Sequence, residues 1–397
     1  MSSKAGIYIH IPFCKKKCIY CDFYSFLPPN EAPGRILSVG SDGFFSKNYT
    51  DEFIAALKKE TELRKDVFSS FDSIYLGGGT PSMISEKNLE SLFCTIFESF
   101  AGKLEQDTEI TLEANPGDIT RENLNTWRSI GVNRLSIGIQ SMDDDILRFL
   151  GRRHDAESGL NALNLAMEGS FNHVSCDLLM GLPIIAGKCL PSLSTMEASI
   201  DRVLLSGATH ISLYILTLSG STPLARLVDR EKVVLPSDDL NADRFLKTSA
   251  FLAGRGFIHY EVSNFASNKK AESRHNKKYW TGSPYLGLGP GAHSFDGLKT
   301  RWWNLPEADT YINNLTQGSL PPGKKEILTK VQRRIEKLML GLRTSRGVSK
   351  KLASPQGNHD LVLKEMIRTG LLTESTTRVF PTEKGMLKAD GIASALS

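Results

Sequence analysis

The sequence predicts an α/β protein: a barrel-like or doubly wound domain over residues 1–300, then a smaller helical, winged-helix-like domain over 301–397. Three observations carry this reading. Short β-branched runs recur about every 25 to 40 residues, the spacing of βα units in a parallel sheet. Amphipathic stretches led by N-capping residues lie between the runs. Beyond residue 300 the alternation stops, and helix patterns with a hairpin signal replace it.

The first strand is read at Ile7-Tyr8-Ile9-His10-Ile11 and the second at Ser73-Ile74-Tyr75-Leu76, running into Gly77-Gly78-Gly79. Between them, an irregular Pro/Gly/Ser stretch from Leu27 to about Lys47 reads as an exposed loop. Asp51 then opens a charged amphipathic helix through about Val67. Glu109–Glu113, Arg134–Ile139, Val174–Met180 and His210–Ile215 complete six strands. Ser85 caps a helix that carries Leu89, Leu92 and Phe93. Thr120 caps another through Leu124 and Trp127, closed by Gly131, and Asp155 precedes Leu160, Leu163, Leu165 and Met167. In either architecture, ligands lie beyond the C-terminal ends of the strands. In the second domain, Lys330–Leu342 puts Val331, Ile335, Leu338, Met339 and Leu342 on one helical face, and Leu361–Arg368 reads as a second helix. Gly370-Leu371-Leu372 and Arg378-Val379-Phe380 read as a hairpin. The charge there is modest, which suits a structural or lid domain rather than a DNA reader.

The 397 residues include 48 basic and 44 acidic side chains, a formal charge of +4 that is too small and dispersed to imply nucleic acid. No apolar run reaches the ~18 residues of a membrane helix. Ile7–Phe13 contains His10 and Pro12 and leads into cysteines, so it is no signal peptide, and nothing Arg-rich precedes it. A cytoplasmic protein is expected.

Six cysteines are too sparse for a disulfide scaffold. Cys94 and Cys176 read as small buried hydrophobes, and Cys189 follows a Gly-Lys loop. Cys14, Cys18 and Cys21 differ, because they present three thiolates from a loop that follows strand one at the ligand end. Three soft ligands at this spacing can hold one corner of an iron–sulfur cube and leave one iron without a protein ligand. An open iron can chelate a small molecule and pass it an electron, as chemistry with S-adenosylmethionine requires. Zinc is the alternative, with His10 or Asp22 as fourth ligand, but no second cysteine knuckle is present. Lys15, Lys16 and Lys17 place the loop in solvent.

This spacing, with Tyr20 just before the third cysteine, resembles the signature of radical S-adenosylmethionine enzymes. Gly6-Ile-Tyr-Ile-His-Ile-Pro-Phe-Cys14 is similar to the coproporphyrinogen III dehydrogenase-like branch. So are Leu76-Gly-Gly-Gly-Thr-Pro81, Glu113-Ala-Asn-Pro116, Gly131–Ser141 and Asp177-Leu-Leu-Met-Gly-Leu-Pro183, which spread the likeness over nearly the whole chain. The resemblance implies a partial (β/α)6 barrel, in agreement with the strand count. It also implies a [4Fe-4S] cluster on Cys14, Cys18 and Cys21 that S-adenosylmethionine completes. Gly78, Gly79 and Thr80 would meet the amino and carboxylate end of that cofactor, with Tyr8, Tyr20, Glu113, Gln140, Arg152 and Asp177 as further contacts. Acceptors suit an ammonium and ribose hydroxyls, and a guanidinium suits a carboxylate. Taken alone, the glycines would be an ordinary βα turn and the charges local salt bridges. No Gly-Lys-Ser/Thr follows, so a phosphate loop is not expected.

One departure separates branch members. The porphyrinogen-decarboxylating dehydrogenases carry a fourth cysteine two residues after the third, where this chain has Phe23. Phe23 is similar instead to the HemW-type heme chaperones, as is His275-Asn276-Lys277-Lys278-Tyr279-Trp280. Imidazole ligates heme iron well, and Tyr279 and Trp280 offer flat apolar surface. Without the resemblance, His275 would be a surface histidine beside buried Tyr279 and Trp280. His293, in Gly287-Leu-Gly-Pro-Gly-Ala-His293, and His259 are further candidate ligands, while His10 reads as a satisfied core histidine. Trp302 and Trp303 cannot share one strand face, so one is expected over the cavity and the other on the second domain. The resemblance thus implies heme binding and transfer to an acceptor hemoprotein at the membrane. The alternative is oxygen-independent oxidative decarboxylation of coproporphyrinogen III.

Overall fold

The structure, a computed structural model, describes residues 4–29, 49–185, 193–357 and 359–397. Cys189 and most of the stretch from Leu27 to Lys47 lie outside them. In chain order the first part runs β1 (Ala5–Ile11), α1 (Tyr49–Leu63), β2 (Phe71–Gly78), α2 (Glu86–Ser99), β3 (Leu104–Ala114), α3 (Arg121–Ser129) and β4 (Arg134–Gln140). It continues with α4 (Asp144–Leu150), α5 (Ala156–Glu168), β5 (His173–Met180), β6 (Ile184–Ile185), α6 (Leu193–Leu205), β7 (His210–Ile215), α7 (Pro223–Asp229) and β8 (Val233–Val234). Then come α8 (Asp238–Gly254), β9 (Ile258–Glu261), β10 (Asn264–Ala266), α9 (Arg274–Thr281), β11 (Tyr285–Leu288), β12 (His293–Phe295), β13 (Thr300–Asn304), α10 (Ala308–Thr316) and β14 (Gly323–Ile327).

Twelve of these strands form one sheet in the order β14-β13-β12-β11-β1-β2-β3-β4-β5-β7-β10-β9. The six expected strands are all present, mutually parallel and in sequence order, and β11 adds a seventh parallel strand beside β1. Side chains alternate across a strand. One face presents Ile7, Ile9, Ile74, Leu76, Leu112, Leu135, Ile137, Leu178, Ile211 and Leu213, all fully buried in the main core with α1, α2 and α5. The other face carries Tyr8, Tyr75, Glu113, Ser136, Asp177 and Tyr214. A parallel sheet with helices on one side and polar residues on the other curls around its polar side, an open (β/α) barrel.

The caps read in sequence hold. Ser85 accepts from the Asn88 N–H, Thr120 from Asn123, and Asp155 forms a capping box with Ser158. The first helix ends at Leu63 rather than near Val67. Cys176 is buried as expected; Cys94 is exposed, its thiol directed at Glu98 Oε1 3.4 Å away. Position 94 sits on the outer flank of α2, where the core-facing row is Leu89, Leu92, Phe93 and Ile96.

The division expected between residues 300 and 301 falls inside β13. That strand is paired on both sides, and Tyr311 of α10 packs on Phe53 of α1 in the main core. A second apolar core forms from α11 (Lys330–Gly341), β15 (Val348–Ser349), α12 (Lys350–Ala353), α13 (Asp360–Arg368), β16 (Leu372–Glu374), β17 (Arg378–Pro381) and α15 (Ala389–Ala395), while Leu387 of α14 (Glu383–Leu387) packs on the main core. The expected hairpin is β16–β17, and β15 joins it as a third antiparallel strand. We therefore propose a domain division between β14 and α11. Leu338, fully buried in this second core, tests its weight. Leu338→Ala is expected to cost about 2–5 kcal/mol, read as a lower urea midpoint by circular dichroism. An unchanged midpoint would mean that this core does not carry the domain.

Candidate functional site

The C-terminal ends of the parallel strands open into a cleft of about 390 Å³, within the range of small-ligand sites. Cys14, Cys18 and Cys21 border it, together with Tyr20, Phe23, Tyr75, Gly78, Gly79, Thr80, Glu113, Gln140, Arg152, Asp177 and Tyr214. The cysteine loop is held by backbone. The Cys14 N–H donates to Phe26 O at 2.9 Å, and Ile19 N–H donates to Leu150 O at 3.3 Å. The glycine turn after β2 docks under the loop, with the N–H groups of Gly79 and Thr80 donating to Ile11 O and Phe13 O, both at 2.7 Å. A Cβ at Gly79 would lie 2.4 Å from Phe13 O, and Gly78 adopts φ +109° against the His10 ring. Both positions therefore require glycine.

Charge fastens the loop a second time. Buried Asp118 accepts from Lys15 Nζ at 3.0 Å, from Arg153 Nη2 at 3.0 and 3.1 Å, and from Ser82 Oγ at 2.8 Å. Lys17 Nζ donates to Ser25 O at 3.0 Å and to Phe23 O at 3.2 Å. Two of the lysines read as mere solvent markers thus staple the loop, and Asp118 was missed. It lies two residues past the Glu113-Ala-Asn-Pro116 motif, and that proximity was the only signal.

The thiols share one cavity. Thr80 Oγ1 lies 3.5 Å from Cys14 Sγ and Arg152 Nη1 lies 3.4 Å from Cys18 Sγ. Burial raises the pKa of both Cys14 and Cys21, which favours the thiol until a metal displaces the proton. Among the described residues, no three His, Cys, Asp or Glu side chains close on a single ion. Three thiols bordering one cavity are the donor set an iron–sulfur cluster takes. Arg152 Nε is buried without a partner, while its Nη2 donates to Gly138 O at 2.5 Å, so the cleft holds an unspent donor beside the thiols.

Glu113 accepts from Tyr75 Oη at 2.7 Å and Gly78 N–H at 3.1 Å. Burial and, to a lesser degree, the charge of Asp177 push its pKa up to about 7. Asp177 accepts from Ser136 Oγ at 2.9 Å, and burial raises it too. Gln140 closes β4 with φ +69° at a register shift, and its amide turns back over Gly138. Such a backbone costs on the order of 1–3 kcal/mol and persists only where the surroundings enforce it. Tyr20 packs on Ile146 and Leu150 at the rim. Tyr8 stands apart from the cleft, its hydroxyl 3.0 Å from His10 Nδ1. His10 Nε2 reaches Tyr24 O at 2.8 Å, the satisfied histidine expected.

The other histidines fall differently. His275 is buried at the opposite end of the barrel, where α9 closes the strand N-termini. Its Nδ1 lies 3.0 Å from Ser73 Oγ and its Nε2 3.0 Å from Tyr279 Oη. Burial pushes its pKa down to about 3. In this arrangement neither nitrogen of His275 is open to an iron, and Tyr279 packs edge-on against Tyr285. Trp280 is half-buried on the same helix and does not border the cleft. His259 stacks on Phe265 at 4.2 Å, with Ser249 Oγ and Val262 O at its nitrogens. His293 is exposed on β12, outside the cleft lining, and stacks on Trp303 at 5.2 Å. Trp302 stacks on Phe68 and belongs to the main core rather than the second domain.

Residues 8–188 match the radical SAM superfamily and residues 328–387 the HemN C-terminal domain. A Mycobacterium tuberculosis protein named heme chaperone HemW is 33% identical over 395 residues, covering 98% of this chain and 94% of the relative. The Bacillus subtilis protein of the same name is 32% identical, covering 98% of each. The chain belongs to the HemW family. A zebrafish relative within the same likeness, the mitochondrial radical S-adenosyl methionine domain-containing protein 1, is 33% identical over 89% of this chain and 77% of its own. The solved structure of the Escherichia coli coproporphyrinogen III oxidase HemN superposes with a TM-score of 0.77 at 22% identity, covering 100% of this chain and 90% of HemN. The chain therefore shares the HemN fold, with its radical SAM domain and helical C-terminal region. Superfamily membership implies S-adenosylmethionine and a [4Fe-4S] cluster. Among the described residues, no helix is long and apolar enough to cross a membrane.

Asp118 supplies the test of this geometry. Asp118→Ala leaves Lys15, Arg153 and Ser82 without their shared acceptor, so the cysteine loop should loosen. Iodoacetamide is expected to alkylate Cys14 several times faster in the variant; an unchanged rate would show that the backbone anchors suffice.

Proposed function

We propose that the chain is a heme chaperone that binds heme and passes it to an acceptor hemoprotein at the membrane. The observation that carries this is the end-to-end likeness, 33% over 98% of the chain, to a protein bearing that name. Phe23 supports it, because an exposed aromatic ring stands where the porphyrinogen dehydrogenases carry a fourth cysteine. Cys14, Cys18 and Cys21 would hold the cluster. Bound there, the cluster supplies an iron open to S-adenosylmethionine and a route for one electron.

The chain's own residues do the rest. Backbone at Gly78 and Gly79 lets the amino-acid end of S-adenosylmethionine approach, and Thr80 borders the same wall. Arg152 offers its free Nε to a carboxylate. Glu113 accepts an ammonium, Asp177 accepts ribose hydroxyls, and Tyr20 and Gln140 close the rim. Phe23, 62% exposed at the mouth, presents an apolar plate to solvent rather than a thiol.

Glu113 gives the pH dependence. Its pKa stands near 7, above the ordinary carboxylate value of 4.5, so below pH 7 it is neutral and a poor partner for an ammonium. Affinity for S-adenosylmethionine should rise as pH increases through 7 and level off above. Isothermal titration across pH 6 to 8 reads this, and Glu113→Gln should flatten the rise; a parent profile as flat as the variant's would remove Glu113 from the site.

Heme retention tests the function. Anaerobic, cluster-loaded protein mixed with hemin and desalted should keep a Soret band and surrender it to an apo-hemoprotein. Absence of the band, with decarboxylated tetrapyrrole formed from coproporphyrinogen III under reducing conditions, would replace this reading with the dehydrogenase one.

A further inference from the structure

Heme needs an accessible ligand, and the structure narrows the choice. All eight histidines fall within the described residues, and His293 alone is exposed. His10, His210 and His275 are buried with both ring nitrogens engaged, and His259 is engaged as well. His154 is buried with one nitrogen on Ile139 O, and His173 and His359 each bury Nδ1. The ring nitrogens of His293 have no hydrogen-bond partner among the described residues.

Register places His293 on the polar face. Paired residues on neighbouring strands share a sheet face. His293 pairs with Trp303, and Trp303 with Lys324. On the other side, Tyr285 pairs with Phe295 in the antiparallel β11–β12 register, which sets Gly287 opposite His293, and the bare glycine lets the His293 backbone approach closely. Gly287 pairs with Tyr8, and Tyr8 with Tyr75, which lines the cysteine cleft. One row thus runs Lys324, Trp303, His293, Gly287, Tyr8, Tyr75. The concave face that holds the thiols extends without a change of side onto β12, β13 and β14.

Two features of the row fit a flat, iron-centred, dianionic ligand. The His293 ring lies 5.2 Å from Trp303 and within 8° of parallel, so the indole fixes the imidazole plane and leaves its edge free. Exposed Lys324 stands two strands away, about 10 Å at ~4.8 Å per strand, where a propionate can reach. The base is rigid, because buried Glu60 gathers the flanking backbone. It accepts from Gly289 N–H at 2.8 Å, Asn304 Nδ2 at 2.8 Å, Tyr311 Oη at 2.7 Å and Arg64 Nε at 2.7 Å.

We infer that this extension of the polar face is the heme seat, with His293 as axial ligand, Trp303 as the residue that positions it and Lys324 as the propionate partner. The inference rests on the heme-chaperone reading. Its test uses cluster-loaded full-length protein, hemin, and the variants His293→Ala, Trp303→Ala, Lys324→Glu and His275→Ala, each checked for folding by circular dichroism. His293→Ala should lose the ligated Soret species, and added imidazole should restore it. Trp303→Ala should bind roughly 10- to 100-fold more weakly, as supports of metal ligands do. Lys324→Glu should weaken binding with the Soret position unchanged. Parent-like binding and spectrum in His293→Ala, or loss confined to His275→Ala, overturns the seat while the chaperone stands. A parent that retains no heme overturns the chaperone reading, and the seat falls with it.

Discussion

Every parallel strand of this sheet must satisfy two environments at once, because its side chains alternate between faces. The outer set is Ile, Leu and Val against helices, and it supplies the burial that holds the domain together. The inner set is polar, and nothing in the helical layer can cover it. The sheet therefore curves around a polar lumen that needs closing at one end and a ligand at the other. A one-residue slip in any central strand would carry Glu113 or Asp177 into the apolar layer and Leu112 or Leu178 into the lumen. Register is thus enforced by the whole core, and the site inherits that precision.

The cysteine loop is a separate problem, since three consecutive lysines and no apolar run give it no burial of its own. It is held by what surrounds it. The glycine turn after β2 donates two backbone hydrogen bonds to Ile11 and Phe13, an approach that any side chain at Gly79 would forbid. Asp118 adds an ionic clamp from the next βα turn. The carboxylate is buried while Lys15 and Arg153 reach it from the half-exposed rim, so the charge that needs these partners is that of Asp118 itself. Loop geometry is therefore a property of the barrel rim, which is where metal ligands need to be rigid.

The parallel core was legible because β-branched runs at βα spacing leave few alternatives, and the caps because Ser85, Thr120 and Asp155 stand directly before amphipathic runs. The extension was not. β9 to β14 are short, rich in Gly, Trp, His and Lys, and exposed on one side, so no period of two survives in Thr300-Arg-Trp-Trp-Asn304. The expected domain boundary fell there for the same reason. At the site, the cysteines and the strand-end residues could be named from spacing, since chain order around the rim follows strand order. The placement of His275 could not, because it depends on a tertiary contact. Gly6 on β1 lacks a side chain, and a Cβ there would come within 2.7 Å of Lys278 Cδ and 3.0 Å of His275 Nδ1. That bare position lets α9 enter the lumen and makes a motif read as a candidate heme site part of the barrel floor.

The floor and the mouth of the lumen are built from the same residue types but differ in what completes them. At the floor, Glu109 accepts the backbone N–H groups of Arg274 and His275 at 3.0 and 2.9 Å, so α9 answers its charge from within the chain. His275 is likewise answered on both nitrogens and stays neutral. At the mouth, Glu113 has only Tyr75 and Gly78 as donors and is left close to protonation, while Arg152 Nε has no acceptor. Unmet hydrogen-bonding capacity in a buried site costs free energy unless something supplies it. The acid and the guanidinium face one cleft with three thiols, and a zwitterionic ligand that also binds metal would meet all of these demands together. The polar face is therefore one continuous surface divided by its unmet demand, with the fold satisfied below and a ligand required above.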